Sequence, residues 1–201
     1  MFSAIIIFMF RKMIILLCVF ILLGSIFYVL LETRTPQASA TGANTNQDNI
    51  EKTYYFGYGS NMDINLLRRR IGNDSIAPIS YAVLEDYRLV FPRGLGSVIP
   101  DENSDVYGCL YFLTKEEIAK LDIVEGYKEG RDKSQNSYNR EWIDVLVPDG
   151  NIISAEIYIQ SDNSDVNSKP SEGYKQTLVN GAKHCLLPEF YIQGLEEIET
   201  N

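Results

Sequence analysis

The sequence predicts an α+β domain, its sheet curled into a small mixed β-barrel, preceded by one N-terminal transmembrane helix. Three observations carry that reading. Apolar strand patterns come first along the domain, with helical patterns interspersed. Two of the strand patterns flank Pro148-Asp149-Gly150-Asn151, a turn sequence that marks a hairpin. Upstream of all of them, Met13 to Leu31 forms a run of 19 residues without a charge, against the ~20 needed to span a bilayer.

The N-terminal segments follow from that apolar run. Arg11 and Lys12 precede it, so residues 1–12 are expected on the cytoplasmic side and residues 13–31 act as a signal anchor. The rest of the chain is then translocated, and the protein is a single-pass membrane protein with an extracytoplasmic domain. Two other readings stay open. Ala38-Ser39-Ala40 has the small-x-small form of a signal-peptide cleavage site, although the apolar run exceeds the usual ~7–15 residues of a signal core. Translation from a later methionine would omit the segment and leave the domain cytoplasmic. Residues 32–52 read as a flexible linker, because Pro36–Lys52 is rich in Ala, Ser, Thr, Asn and Gln without an apolar period. The folded domain occupies 53–201.

Within the domain, Tyr54–Tyr58 is the first strand. Asp63–Ile71 is a short helix, with Ile64, Leu67 and Ile71 at helical spacing. Arg68, Arg69 and Arg70 are read as its solvated face. Tyr81–Phe91 is a second strand with Val83, Tyr87, Leu89 and Phe91 on apolar positions, and Pro92–Ser104, rich in Gly, Pro and Asp, is an irregular loop. Asp105–Leu113 is a central strand. Thr114-Lys115-Glu116-Glu117 has the form of a capping box and starts a helix that Glu125-Gly126 ends. Trp142–Val147 and Ile152–Ile159 are the hairpin strands. Ser161–Lys169 is a polar loop, and Tyr174–Cys185 and Pro188–Ile198 are two closing helices.

Composition excludes several functions. At 45% hydrophobic and 11% aromatic residues the chain is that of a globular protein. Its net charge of −9 lacks the basic footprint of a nucleic-acid binder. One histidine, His184, and three cysteines make a zinc site improbable and no metal or cofactor is expected. Cys18 lies in the apolar span, Cys109 reads as a buried thiol in a strand, and Cys185 pairs with it only if the fold brings them together.

Chemistry concentrates in two places. In Tyr55-Phe56-Gly57-Tyr58-Gly59-Ser60-Asn61-Met62 an aromatic strand ends in glycines and polar residues before a helix. Such a junction aims N–H groups at one point, where a carboxylate or an oxyanion fits. It is not a dinucleotide fingerprint, since Met62 stands where the third glycine would be, and it has no P-loop lysine. Gly59 is expected to allow a close approach of substrate or a positive φ. In Leu121-Asp122-Ile123-Val124-Glu125-Gly126-Tyr127 a carboxylate sits at a helix C-terminus, where the helix dipole disfavours it. Apolar neighbours would desolvate Glu125 and raise its pKa, as a general base requires. A Ser60–His184 hydrolase pair is disfavoured, because no Gly-x-Ser-x-Gly elbow is present and His184 belongs to a helix end.

Taken in order, these segments resemble the γ-glutamylcyclotransferases and their AIG2-like relatives over residues 54–197. Tyr55–Met62 is similar to the family's substrate loop, and Asp86–Phe91 to a second strand. Val106–Tyr111 is similar to the strand before the catalytic helix, and Leu121–Gly126 to the catalytic motif. Tyr158, Pro170–Tyr174, Gly181-Ala182 and Leu187–Tyr191 resemble the C-terminal part. The resemblance implies a small β-barrel with surrounding helices, and a reaction in which a γ-glutamyl amino acid or amine cyclises to 5-oxoproline and releases the free amino acid or amine. It implies Glu125 as general acid/base and Tyr58, Gly59, Ser60, Asn61, Met62 and Tyr158 as substrate-binding residues. The glutathione-specific branch carries leucine after Tyr-Gly-Ser. Asn61 stands there instead, which favours the other branch. A γ-glutamylamine cyclotransferase, or a non-catalytic binding protein of the same fold, is the alternative.

Overall fold

The computed structural model describes residues 50–201. The predicted anchor at 13–31 and most of the linker at 32–52 lie outside the described residues. Among the described residues, no helix is long and apolar enough to cross a membrane.

Five strands close into a barrel in the order β1–β3–β2–β4–β5. They are β1 (Lys52–Gly57), β2 (Ser80–Val90), β3 (Ser97–Thr114), β4 (Tyr138–Leu146) and β5 (Ile152–Gln160). Neighbours run antiparallel except at the seam, where β1 meets β5 in parallel at Tyr55 and Glu156. Four helices accompany them: α1 (Ile64–Ile71), α2 (Lys115–Glu125), α3 (Glu172–His184) and α4 (Glu189–Glu196).

Strand alternation divides the core in two. On β3, Val106 and Leu110 join Phe56, Ala82, Leu84, Val145, Ala155 and Ile157, a cluster made of strand residues that fills the barrel. The intervening Cys109, Tyr111 and Leu113 face outward and pack with Leu67, Ile71, Ile118, Leu121, Leu178 and Ile192 of the four helices. The barrel is narrow: a Cβ on Gly108 would lie 2.6 Å from the Gly57 carbonyl oxygen and 2.8 Å from the Phe56 ring.

Local chemistry bounds the helices as expected. The Asp63 carboxylate accepts the Asn65 and Leu66 N–H groups and caps α1. Thr114 and Glu117 form the complete capping box of α2, and Gly126 ends it at φ 68°.

Two strand expectations are corrected. The segment Pro92–Ser104 is not a loop throughout. After a 3₁₀ turn at Pro92–Gly94, β3 begins at Ser97 and pairs with the end of β2, Tyr87 opposite Pro100 and Val90 opposite Ser97. Backbone pairing overrides the low strand propensity of those residues. Within β2 the apolar face also differs. Ala82, Leu84 and Val90 are buried while Val83, Tyr87 and Leu89 are half-buried, and Asp86 takes φ 61° in a register shift between Glu85 and Tyr87.

Cys109 is also not a free thiol. β3 and the end of α3 bring it to Cys185 with a Cα–Cα distance of 5.7 Å, and the two form a disulfide. His184, next to Cys185, is exposed on the last turn of α3.

Candidate active site

The strand exit after β1 and the C-terminus of α2 meet at one cavity. Tyr55, Tyr58, Gly59, Ser60, Asn61, Gly96, Glu125, Tyr138, Tyr158 and Tyr174 line it, around ≈ 280 Å³ of empty space including its mouth. Its enclosed part is only ≈ 30 Å³, well below the roughly 300–1,000 Å³ of drug-sized ligand pockets.

At its centre is Glu125, whose side chain is 12% exposed. Its Oε1 accepts from Asn61 Nδ2 at 3.0 Å and lies 3.6 Å from Arg70 Nη1. Oε2 has no protein donor among the described residues. Burial pushes the Glu125 carboxyl above the ordinary glutamate range, while Arg70 and the Asn61 hydrogen bond pull it back in part. The base is therefore held by one oxygen and open at the other.

The 3₁₀ turn Ser60–Met62 supplies the holders. Asn61 Nδ2 also donates to the Tyr55 hydroxyl at 2.6 Å, and Asn61 Oδ1 accepts from Arg70 Nη1. The same Arg70 nitrogen donates to Ser60 Oγ at 3.1 Å. Beneath the turn, the buried Tyr111 hydroxyl reaches the Asn61 and Met62 carbonyl oxygens at 3.2 and 3.3 Å. The N–H groups of Gly59 and Asn61 find no backbone acceptor, and that of Ser60 is turned toward the Tyr174 hydroxyl. Gly59 has φ −107°, so the positive-φ expectation is not met. A Cβ there would lie 3.2 Å from the Tyr174 hydroxyl.

The remaining wall is tyrosine. Tyr58 donates to the Tyr158 carbonyl at 2.6 Å, and Tyr158 donates to Asp122 Oδ1 at 2.7 Å, one helical turn before Glu125. Arg140 pairs with both Asp122, at 3.3 Å, and Glu156, at 2.9 Å. This chain ties β5 and β4 to α2 behind the base. Tyr138 donates to the Gly96 carbonyl at 3.0 Å, and the Tyr174 hydroxyl accepts from Gly96 N–H at 2.9 Å. Burial raises the pKa of all five tyrosines that line the cavity, Tyr55, Tyr58, Tyr138, Tyr158 and Tyr174, so they remain neutral hydrogen-bonding groups.

The structure thus gathers Tyr58, Gly59, Ser60, Asn61, Tyr158 and Glu125 around one space. It leaves Met62 out. Met62 is fully buried and packs under α3, where a Cβ on Gly181 would meet Met62 Cβ at 2.5 Å. The Asn61 side chain holds both Glu125 and Arg70, and the Ser60 hydroxyl accepts from Arg70. Arg70, expected on the solvated face of α1, instead borders the site. Arg68 is likewise engaged, donating to the Ile76 carbonyl at 2.9 Å, and only Arg69 is exposed. Tyr55, Gly96, Tyr138 and Tyr174 are further wall residues that the sequence reading missed.

Comparison with known proteins bears on the family. The profile of "Gamma-glutamyl cyclotransferase, AIG2-like" proteins matches residues 55–176, which include the loop, Arg70, Glu125, Tyr158 and Tyr174. The chain belongs to that family. It is 28% identical over 162 residues to the γ-glutamylcyclotransferases of Mus musculus and Homo sapiens, covering 75% of this chain and 81% of each relative. A solved structure of a γ-glutamyl cyclotransferase superposes with a TM-score of 0.63 at 26% identity, over 75% of this chain and 90% of that one. YkqA from Bacillus subtilis shares the fold, with a TM-score of 0.60 at 21% identity over 75% of this chain and 56% of that one.

Proposed function

We propose that this member of the γ-glutamyl cyclotransferase family converts a γ-glutamyl compound to 5-oxoproline and a released amine, with Glu125 as the general acid/base. The observation that carries the reading is the half-anchored Glu125: Oε1 tied to Asn61 and close to Arg70, Oε2 free, the whole side chain in a small polar cavity.

In this reading the substrate's α-carboxylate lies against the loop N–H groups of Gly59 to Asn61. Glu125 Oε2 takes a proton from the α-ammonium. The freed amine attacks the γ-carbonyl, forming the new C–N bond of a five-membered ring. The tetrahedral oxyanion collapses, the old C–N bond breaks, Glu125 returns the proton to the leaving nitrogen, and the ring nitrogen gives up its second proton, by way of Glu125, to the released amine, which departs as an ammonium. Loop N–H groups are also suited to steady the oxyanion. The reaction is intramolecular, so the main task is to hold an extended chain curled, and a cavity walled by interlocked tyrosines suits that task. The test is to incubate the purified protein with a panel of γ-glutamyl compounds and measure 5-oxoproline. No product from any of them would overturn the reading and favour the non-catalytic binding alternative.

We also propose that the domain works outside the cytoplasm, tethered by residues 13–31. The Cys109–Cys185 disulfide supports this, since structural disulfides persist mainly in oxidising compartments.

A further inference from the structure

Beneath the turn that holds Glu125 lies a group the mechanism above does not use. The Cys109–Cys185 disulfide joins β3 to the end of α3, and the Met62 carbonyl rests on both of its sulfurs. That oxygen lies 3.8 Å from Cys109 Sγ and 4.0 Å from Cys185 Sγ. The Tyr111 hydroxyl completes the contact. It stands 3.9 Å from Cys185 Sγ and reaches the Asn61 and Met62 carbonyl oxygens. Met62, Cys109, Tyr111 and Cys185 are all buried. On the helix side, the Cys185 N–H donates to the Gly181 carbonyl at 2.9 Å, and Gly181 is where α3 comes closest to Met62. The same turn carries Asn61, whose Nδ2 holds Glu125 Oε1 and whose Oδ1 accepts from Arg70.

We infer that Cys109, Cys185 and Tyr111 are positioning residues for Glu125, and that full turnover requires the disulfide to be formed. The inference rests on the cyclotransferase reading for what turns over, and on the packing alone for what moves. Two thiol sulfurs cannot stay at bonding distance, so reduction forces them apart. In a close-packed interior such a displacement passes to the neighbours, and here both sulfurs touch the Met62 carbonyl. Each thiol also gains an S–H, a weak donor within reach of the carbonyl that Tyr111 serves. At the same time α3 is released from β3 at its last turn. Asn61 adjoins Met62, so the slack reaches the side chain that holds Glu125 and Arg70. The reductant is a dithiol. Its thiolate attacks Cys185 Sγ, the sulfur of the less buried residue, the S–S bond breaks, and Cys109 leaves as a thiolate that takes up a proton. The second thiol of the reagent displaces the Cys185 thiolate, which is protonated in turn, and the reagent closes to its own disulfide. Two electrons and two protons have then passed to the protein.

The test uses the full chain oxidised, reduced with dithiothreitol, and reoxidised with hydroxyethyl disulfide, with circular dichroism to show which samples are folded. Reduction should lower kcat/KM for 5-oxoproline formation by about 10–100-fold, and reoxidation should restore it. The acidic limb of the kcat/KM profile should also move to higher pH. Arg70 and Asn61, the two groups that pull the Glu125 carboxyl down, are joined through the Asn61 side chain and slacken together. Tyr55, Tyr138 and Tyr174 face Glu125 as well, but they stay neutral and do not set the limb. A mere loss of folded protein would scale the rate and leave the limb in place. Amide exchange reads the turn without substrate. The Met62 and Asp63 N–H groups, bonded to the Gly59 and Ser60 carbonyls, should exchange at least about tenfold faster on reduction, with the β4–β5 hairpin unchanged. Tyr111→Phe keeps the disulfide and cuts only the hydroxyl link, so it should shift the limb and the exchange in the same directions. A folded, reduced protein with its limb and its turn exchange unmoved would overturn the inference. Where reduction unfolds the chain, a Tyr111→Phe protein with the limb and exchange of the unaltered one would overturn it. No 5-oxoproline from the oxidised protein would overturn the cyclotransferase reading, and the exchange measurements would then decide the positioning by themselves.

Discussion

Glu125 is an acid in an adverse place, buried and at the C-terminal end of α2, and each circumstance favours its protonated form. Glu125→Gln removes the proton acceptor but keeps the shape and the capacity to pair with Asn61. It should lower kcat by about 10²–10⁴-fold. Its unfolding midpoint should not fall, because a desolvated carboxylate has been replaced by a neutral group; thermal denaturation checks this beside the rate. The sign of the pH dependence follows from the same environment. The base acts when ionised, so activity is lost as pH falls through the Glu125 pKa, and burial places that acidic limb above the ordinary glutamate range. Arg70 opposes the shift, so Arg70→Gln should move the limb to still higher pH. A kcat/KM profile in which the limb stayed put or moved down would show that Arg70 does not act on Glu125. Arg70 was hidden in the sequence for a physical reason. It follows Leu67 by three positions and so borders the buried stripe of α1, but its partner lies across the fold, and neither spacing nor periodicity reports a contact at that separation.

At the scale of elements, the site depends on how tightly α3 presses the Ser60–Met62 turn. Gly181 is the point of closest approach, with Met62 Cβ and the Asp63 nitrogen within 2.5 and 2.7 Å of where its Cβ would be. Gly181→Ala should therefore push α3 off the turn, lower the unfolding free energy by about 1–3 kcal/mol, and weaken turnover through Asn61; denaturant melts and steady-state kinetics report the two effects. An undisturbed Gly181→Ala protein would mean that α3 does not support the turn. The elements legible in the sequence were those whose signal is local. The spacing of Ile64, Leu67 and Ile71 announces α1, Thr114 announces α2 and Gly126 stops it, and Pro148-Asp149-Gly150-Asn151 joins β4 to β5. What escaped was set by distant pairing. Ser97–Ser104 looks like a loop residue by residue, and becomes strand because β2 lies alongside. The register shift at Asp86, with its positive φ, is likewise set by pairing with β3. The candidate site followed the same rule. The loop and Glu125 stood out by local pattern, whereas Tyr138, Tyr174 and Gly96 are ordinary residues that only the barrel brings together.

For the molecule as a whole, the disulfide and the N-terminal apolar run bear on the same question from separate parts of the chain. Cys109 and Cys185 are 76 residues apart, so their link closes a long loop of the unfolded chain and should contribute about 2–4 kcal/mol. Reduction, or Cys185→Ser, should lower the stability of the domain by that amount. A bond of this kind survives where thiols are oxidised, which is the far side of the membrane that Arg11-Lys12 and the uncharged Met13–Leu31 run predict for this domain. Full-length protein expressed in cells should therefore remain with membranes through a carbonate wash. Its domain should be cut by protease added outside intact cells or spheroplasts, and thiol trapping before lysis should leave Cys109 and Cys185 unlabelled. A soluble mature protein beginning near Thr41 with the disulfide formed would replace the anchor by a cleaved signal and keep the compartment. A soluble or membrane-bound protein with both thiols labelled and the domain protected from outside protease would place it in the cytoplasm. The fold would then hold the two cysteines together as neighbouring thiols, and the substrate would be drawn from the cytoplasmic pool.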